Sequence, residues 1–212
     1  MNNEKQNILI AGANGTTGRI ITNLLKESAD YKPIAMVRNQ EQKDHFEQQH
    51  VSAVVADLET DLSHAVKNVD KVIFAAGSKG KNVIGVDQDG AKRLIDASKH
   101  ADVTKFVMLS SMAADNPSSS DQLEDYLRAK QNADDHLKNS DLHYSIVRPG
   151  ALTDTGGVGK IQLKERIGNP GNISRADVAE TLVAVLEDNM MQNQVFEILA
   201  GKVPIKEALV PA

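Results

Sequence analysis

Short apolar runs alternate with longer segments of helical spacing along most of the chain. The runs occupy residues 8–11, 33–37, 51–56, 71–76, 106–109, 144–147 and 195–199. We predict each as a β-strand, because short, near-continuous apolar runs are typical of strands that are buried on both faces. The segments after residue 18 and at 41–49, 61–67, 86–100, 123–139 and 174–186 are predicted helices. Strand-helix alternation indicates an α/β protein, a doubly wound and mostly parallel sheet of about seven strands with helices on both faces.

Three glycines follow the first predicted strand at regular spacing. Gly12, Gly15 and Gly18 form the pattern G-x-x-G-x-x-G, and a helix with apolar residues at Ile20, Ile21, Leu24 and Leu25 begins behind them. Gly12 allows a tight exit from the strand, Gly15 lets a pyrophosphate approach the main chain, and Gly18 lets the helix lie close to the strand. The free N–H groups of the helix start then face the phosphates. The alternative is a glycine-rich turn without a ligand.

Polar residues or glycines also follow the other predicted strands. In parallel sheets ligands bind beyond the carboxyl ends of the strands, so these clusters are expected to line one crevice with the glycine turn. The clusters are Arg38, Asp57, Gly77-Ser78, Ser110-Ser111 and Arg148-Pro149-Gly150.

Arg38 ends the second predicted strand, where an NAD site usually has an acidic residue. A guanidinium binds a 2′-phosphate through charge-assisted, forked hydrogen bonds, whereas a carboxylate repels it. We therefore predict NADP in preference to NAD, with Arg19 as an assisting or replacement cation. Asp57 is a candidate partner for the adenine amino group, with Leu58 beside the ring. The alternatives are a surface arginine at a strand end and an aspartate that caps the next segment.

Tyr126 and Lys130 are four residues apart in the long predicted helix, so they project from the same face. Apolar residues at Leu123, Leu127 and Leu137 share this stripe and predict that Lys130 is buried. A buried lysine is costly unless its charge is used. An ammonium beside a tyrosine hydroxyl favours the phenolate, which makes the hydroxyl a competent proton donor or acceptor opposite a hydride transfer.

Two further interpretations of this helix remain open from the sequence. Asp134 follows Lys130 by four residues, so the pair can form an intrahelical ion pair with no catalytic role. Lys130 can also bind the ribose of the cofactor. Ser111, or its neighbour Ser110, is the candidate to hold the substrate oxygen by a hydrogen bond.

Composition excludes several classes of function. The 212 residues are 41% hydrophobic, which suffices for one sizeable core and predicts a single domain. A net charge of -5 without a basic block argues against nucleic acid. Cysteine is absent and the six histidines show no paired spacing, so we predict no disulfide and no metal site. The polar first residues and the lack of long apolar runs predict a cytoplasmic protein without a membrane segment.

Taken together, the chain resembles an atypical short-chain dehydrogenase/reductase. The residues that carry the resemblance are GANGTTGR, the Ser110-Ser111 strand end, Tyr126-x-x-x-Lys130 and the IVRPG segment at 146–150, and the likeness extends from residue 7 to about 209. Among these proteins it is similar to the small bacterial members of the NAD(P)-binding, sugar-epimerase-like (NAD-dependent epimerase/dehydratase) type.

The resemblance implies a Rossmann-like fold and a site shared by cofactor and substrate. Ser111, Tyr126 and Lys130 fall where the family's enzymes have their active-site serine, tyrosine and lysine. The resemblance also implies that Ala75, Ala76 and Gly77 pass beside the adenosine ribose and that Pro149 and Gly150 lie near the nicotinamide. The full set of residues predicted to bind the cofactor is Gly12, Asn14, Gly15, Thr16, Thr17, Gly18, Arg19, Arg38, Asp57, Leu58, Ala75, Ala76, Gly77, Ser110, Lys130, Pro149 and Gly150.

Three functions are compatible with this pattern. The first is an NADP-dependent oxidoreductase, or an epimerase or dehydratase that uses bound cofactor, acting on a small carbonyl or hydroxyl substrate with Tyr126 as acid and base. The second is an NmrA-like redox sensor without turnover, and the third is a flavin or quinone reductase. The chain is shorter than full sugar epimerases, which leaves residues 150–172 and the C-terminal tail to form a small substrate-side region. We expect a monomer, with a homodimer as the alternative.

Overall fold

The structure, a computed structural model, describes residues 4–78 and 80–210. A nine-stranded sheet forms its centre. Its strands are β1 (Gln6–Ala11), β2 (Tyr31–Val37), β3 (Ser52–Val55), β4 (Lys71–Phe74), β5 (Lys105–Leu109), β6 (Tyr144–Pro149), β8 (Lys160–Lys164), β10 (Gln194–Ala200) and β11 (Val203–Pro204). A separate parallel pair consists of β7 (Ala151–Thr153) and β9 (Asn172–Ser174).

The strand order of the main sheet is β11-β8-β10-β6-β5-β4-β1-β2-β3. Neighbouring strands from β3 to β10 run parallel, whereas β8 pairs antiparallel with both β10 and β11. The chain moves outward from β1 to β3 and then returns to β4 on the other side of β1. Such a reversal of strand order opens a crevice at the carboxyl ends of the strands, and in this sheet it lies between β1 and β4.

Helices cover both faces of the sheet. They are α1 (Thr16–Lys26), α2 (Gln40–Gln48), α3 (Ala91–His100), α4 (Glu124–Lys138), α5 (Arg175–Ala184) and the short α6 (Ile205–Ala208), with a π-helix at Val83–Gly90 and a 3-10 turn at Pro117–Ser119. Among the described residues, no helix has the length and apolar character that crossing a membrane requires.

Alternating residues of β1 show how the sheet separates two apolar layers. Ile8 and Ile10 face one side and join the layer that holds α1 and α5, whereas Leu9 and Ala11 face the other side and join the layer that holds α3 and α4. This is the period of two that a strand imposes on its side chains. Because β1 is buried on both sides, its sequence is a continuous apolar run.

The predicted fold class is confirmed, and the differences lie in the detail. The seven predicted strands are all present, and the segment 150–172, expected to form a small substrate-side region, contains β7, β8 and the first residue of β9. Residues 63–68 form turns where the sequence predicts a short helix at 61–67, and the helix predicted at 86–100 begins as a π-helix at Val83. The short added strands were missed because they are half exposed and have little apolar periodicity.

Candidate dinucleotide-binding and active site

The three glycines differ in what surrounds them. Gly12 has φ +89°, and a Cβ atom there would lie 2.6 Å from the backbone N of Ala76 in the neighbouring strand end. A Cβ atom at Gly18 would overlap the carbonyl oxygen of Gly12 and lie 2.8 Å from Cα of Ala13. At Gly15 the nearest such atom is the Gly12 oxygen, at 3.2 Å. Gly12 and Gly18 are therefore required for backbone packing, whereas Gly15 presents its free face to the cleft.

Helix α1 begins at this turn without a side-chain cap. Gly15 is the N-cap, and no side-chain hydrogen bond caps the helix within residues 4–78 and 80–210. Free N–H groups at a helix start, with the positive end of the helix dipole, are suited to an anion. Arg19 lies outside the cleft lining. Its guanidinium contacts Asn14, since Nη2 donates to Asn14 Oδ1 at 2.6 Å and Nε donates to the Asn14 carbonyl at 3.3 Å.

One cleft of about 1680 Å³ extends from the glycine turn to helix α4. It collects residues from the ends of several strands, which is the arrangement expected at a reversal of strand order. The predicted residues that line it are Gly12, Asn14, Gly15, Thr16, Thr17, Arg38, Asp57, Leu58, Ala75, Ala76, Gly77, Ser110, Tyr126 and Lys130. The predicted residues outside the lining are Gly18, Arg19, Ser111, Pro149 and Gly150.

Arg38 projects from the end of β2 at the rim of the cleft. The residue is exposed, and none of the ion pairs found within residues 4–78 and 80–210 involves its guanidinium. Asp57 forms a turn in which its Oδ1 accepts from the N–H of Glu59 at 2.9 Å. Leu58 is buried, and Arg93 donates to its carbonyl at 3.0 Å. The cleft rim thus offers a guanidinium, and beside it a carboxylate that already has a structural hydrogen bond.

Lys130 is buried inside the cleft wall, as its apolar stripe predicts, and is only 3% exposed. Its Nζ donates to the carbonyl of Leu109 at 3.2 Å and lies 3.7 Å from Oδ1 of Asp87. The same ammonium lies 5.7 Å from the ring centroid of Tyr126 and 5.9 Å from that of Phe74. A cation is attracted to the aromatic faces at such distances, so its position beside Tyr126 is well defined.

Asp87 is the partner of Lys130 that sequence reasoning missed. It lies in the π-helix, is 2% exposed, and its Oδ2 accepts from the N–H of Ser78 at 2.9 Å. Isolated π-helical turns occur frequently at functional sites. A signal was present in the sequence, because Asp87 has helical spacing with the buried residues Ala91 and Leu94. A carboxylate on such a stripe requires a partner.

Asp134 does not form the intrahelical ion pair with Lys130 that the sequence left open. Its Oδ2 instead accepts from Nε of Arg148 at 3.1 Å, from Nη2 of Arg148 at 2.9 Å and from Oγ of Ser110 at 2.9 Å. Asp134 is fully buried, and its Oδ1 has no hydrogen-bond partner among the described residues. Burial raises the pKa of this carboxyl above its usual value, against the opposing effects of Arg148, Ser110 and Lys130.

The two serines that end β5 have different surroundings. Ser110 is 3% exposed and lines the cleft, whereas Ser111 lies outside the lining and its hydroxyl donates to the Met112 carbonyl at 3.2 Å. Pro149 accepts from the N–H of Met112 at 3.0 Å, and Gly150 donates to the carbonyl of Ile198 at 3.1 Å. The described residues include no group of three or more acidic, histidine or cysteine side chains placed to hold a metal ion.

These features define a Rossmann-type nucleotide-binding protein: a glycine turn before an uncapped helix, at the reversal of a parallel sheet. Residues 12–189 match the model of the NAD(P)H-binding family, and the chain belongs to that family. It is 37% identical over 210 residues to the Bacillus subtilis protein named uncharacterized sugar epimerase YhfK, and the match covers 95% of this chain and 98% of the relative.

Two solved structures have the same fold over nearly the whole chain. A Bacillus halodurans protein described as an NAD-dependent epimerase/dehydratase is 34% identical with a TM-score of 0.91, covering 96% of this chain and 98% of the other. The oxidoreductase ylbE of Lactococcus lactis is 30% identical with a TM-score of 0.86, covering 96% and 95%. The predicted similarity to NAD(P)-binding, sugar-epimerase-like proteins is therefore confirmed.

Proposed function

We propose that this protein is an NADP-dependent oxidoreductase, or an epimerase or dehydratase that uses bound cofactor, acting on a small carbonyl or hydroxyl substrate. One observation carries the proposal: Lys130 is buried in the wall of the cleft, with its ammonium beside the ring of Tyr126 and the carboxylate of Asp87. Burial of a charge is costly, and in this wall of the cleft the charge has a use. There Lys130 can hold a ribose hydroxyl and support Tyr126 in proton transfer.

The cleft fits a dinucleotide with a 2′-phosphate. Its volume of about 1680 Å³ is ample, Gly15 leaves room for a pyrophosphate, and the first N–H groups of α1 lack a side-chain cap. Arg38 is the cation for the 2′-phosphate, which supports NADP over NAD. Ser78 adds a buried hydroxyl oxygen without a partner among the described residues, at the strand end where the ribose is expected. When bound, the cofactor supplies the hydride donor or acceptor of the reaction.

Tyr126 is the acid and base of the proposed reaction. It is half-buried at the start of α4 and lines the same cleft as Lys130, so its hydroxyl can exchange a proton with a substrate oxygen. Asp87 and the carbonyl of Leu109 hold the Lys130 ammonium in place. Of the two serines, Ser110 is the better candidate to touch a ligand, because Ser111 directs its hydroxyl to Met112.

A flavin or quinone reductase is the second candidate, and the mouth of the cleft supports it. Ile84 and Leu123 line this mouth and remain 54% and 52% exposed. Exposed apolar side chains at the rim of a cleft indicate contact with an apolar ligand. Such a reductase needs only bound NADPH and an open apolar surface for its acceptor.

Substitution of Tyr126 tests the proposed chemistry. We expect Tyr126→Phe to lower kcat for NADPH-dependent reduction of an accepted carbonyl about 100-fold or more, because general acid catalysis is lost. The NADPH affinity, measured by calorimetry, should not change. Tyr144→Phe is the matched control, since Tyr144 begins β6 and does not line the cleft.

The outcomes separate the candidates. Full carbonyl turnover by Tyr126→Phe would show that the tyrosine is not the acid. Reduction of menadione and flavin by both the wild type and Tyr126→Phe, without carbonyl reduction by either, would favour the second candidate. Failure of the wild type to bind NADPH would contradict both.

A further inference from the structure

Three hydrogen bonds converge on a single oxygen, Oδ2 of Asp134. Two come from Arg148, through Nε at 3.1 Å and Nη2 at 2.9 Å, and the third joins Oδ2 to Oγ of Ser110 at 2.9 Å. Asp134 is 0% exposed, Ser110 is 3% exposed and Arg148 is 6% exposed, so water does not compete freely for these contacts.

The direction of the Ser110 bond follows from the chemistry of its neighbours. A guanidinium has five N–H donors and no acceptor, so Oδ2 of Asp134 must accept both bonds from Arg148. An oxygen that already receives two N–H groups carries no proton, and a proton on this carboxyl would occupy Oδ1. Ser110 is therefore the donor in its bond to Oδ2, whatever the protonation state of Asp134. A serine hydroxyl has one proton, and Ser110 has none left for a ligand.

We propose that Ser110 acts in the cleft as a hydrogen-bond acceptor, fixed in that role by Asp134 and Arg148, and that the ligand group beside it is an N–H or O–H donor. Ser110 lines the cleft next to Leu109, whose carbonyl receives the Lys130 ammonium. Ser110 selects a donor and does not stabilise a carbonyl oxygen. Asp134 and Arg148 are positioning residues, because they act on the ligand through Ser110.

Two ligand groups can supply such a donor in this cleft. One is the carboxamide N–H of the nicotinamide, and the other is the hydroxyl of an alcohol substrate. The inference rests on the proposed binding of NADP in the cleft. The two sources can be distinguished, because the first changes cofactor affinity and the second changes substrate affinity.

The first arm compares NADP with 3-acetylpyridine adenine dinucleotide phosphate, in which an acetyl group replaces the carboxamide and removes the N–H. Affinities are measured by calorimetry on the full chain. We expect the wild type to bind NADP about 3- to 10-fold more tightly than the analogue, the size of effect that one hydrogen bond gives. Ser110→Ala should weaken NADP by the same factor and leave the analogue unchanged. Ser98→Ala is the control, since Ser98 is also buried but its hydroxyl donates to Leu94 within α3.

A double variant tests the positioning role of the ion pair. Asp134→Leu/Arg148→Met removes both charges together, so that neither is left buried alone. The Ser110 proton is then free to turn toward the ligand. The ratio of the affinities for NADP and for the acetyl analogue should therefore fall to nearly 1. A thermal melt establishes that the variant is folded. Discrimination that persists at the wild-type ratio in the folded variant would contradict the positioning role.

The remaining outcomes are decisive as well. Equal weakening of both dinucleotides by Ser110→Ala would mean that Ser110 donates to the carbonyl they share, and would overturn the proposal.

If the affinity of neither dinucleotide depends on Ser110, the second arm measures cyclohexanol and cyclohexanone binding to the NADP-loaded protein by saturation-transfer NMR. Weaker binding of the alcohol alone in Ser110→Ala supports the proposal; weaker ketone binding, or no change in either, overturns it. A wild type that binds neither dinucleotide contradicts the proposed function itself.

Discussion

The carboxylate of Asp87 and the ammonium of Lys130 face each other inside the cleft wall, with Oδ1 and Nζ 3.7 Å apart and their side chains 2% and 4% exposed. The two residues come from different elements, the π-helix and α4. Their pairing places a charge-compensated lysine at the position that the proposed chemistry requires. Because the pair is buried, its members should be thermodynamically coupled, whereas exposed pairs contribute little.

The first prediction measures this coupling. Asp87→Asn retains an acceptor for the N–H of Ser78 but leaves the Lys130 ammonium without its carboxylate, so the free energy of unfolding should fall by about 2 to 4 kcal/mol. Lys130→Met should also destabilise the protein, and the double variant should cost less than the sum of the two single changes. Urea denaturation provides all four values. Additive losses would show that the pair is not coupled.

The exposed pair between Lys99 and Asp141 is the control for this cycle. Its Nζ–Oδ2 distance of 2.8 Å is shorter than that of the buried pair, but the Asp141 side chain is 87% exposed. Asp141→Asn should therefore leave the urea midpoint unchanged, because solvent screens the interaction.

The second prediction concerns the choice of cofactor. Arg38→Ala removes the exposed guanidinium at the end of β2. NADPH affinity should fall about 10- to 100-fold, as expected when a charge-assisted contact to a phosphate is lost, while NADH affinity changes little. Fluorescence titration with both dinucleotides measures the ratio. Equal losses for NADPH and NADH would refute the assignment of Arg38 to the 2′-phosphate.

The third prediction separates two glycines of the same turn. Gly18→Ala forces a Cβ atom against the Gly12 oxygen and to within 2.8 Å of Ala13 Cα, so it should lower the free energy of unfolding by about 1 to 3 kcal/mol. Gly15→Ala meets only the Gly12 oxygen at 3.2 Å, on the cleft side. It should remain nearly as stable as the wild type but bind NADPH more weakly. Thermal melts with and without NADPH distinguish the loss of stability from the loss of binding. Equal destabilisation of the two variants without NADPH would contradict the prediction.

The fourth prediction is a dependence of stability on pH at the opposite end of the sheet. Lys105 begins β5, and its Nζ donates to the carbonyls of Glu187 and Met190 just beyond α5. Burial, and then the neighbouring Lys71 ammonium, lower the pKa of Lys105 from 10.5 to about 8. Between these values the unfolded chain binds more protons than the folded chain, so the free energy of unfolding should rise with pH.

Urea denaturation between pH 8 and 10 measures this rise, which we expect to be roughly 2 kcal/mol from Lys105 alone. Lys105→Met should remove the slope, whatever it does to stability at a single pH. Lys99→Met, at an exposed lysine, should retain it. The window stops at pH 10 because burial, with nearby carboxylates, raises the pKa of Tyr31 from 10.0 to about 12, and this group lowers stability as the pH rises further. An unchanged slope in Lys105→Met would exclude Lys105 as its source.

Much of the fold could be predicted because its signals are local. The continuous apolar runs identify strands buried on both faces, and the glycines at 12, 15 and 18 mark the turn into α1. The start of α5 also has a local signal, because serine is a favoured N-cap residue and Ser174 accepts from the N–H of Asp177 at 2.9 Å. The strands β7, β8 and β9 could not be predicted from the sequence, because their pairing depends on distant partners and not on their own composition.

The candidate site shows the same division between local and distant information. Helical spacing alone determined that Tyr126 and Lys130 share a face and that Lys130 is buried, since the period of a helix fixes which side chains lie together. It could not determine which charge each buried group meets. Asp134 is four residues from Lys130 in the sequence, yet it pairs with Arg148 of β6, and Lys130 faces Asp87 of the π-helix. Periodicity orients a side chain within its element, whereas only the packing of elements against one another brings its partner from elsewhere in the chain.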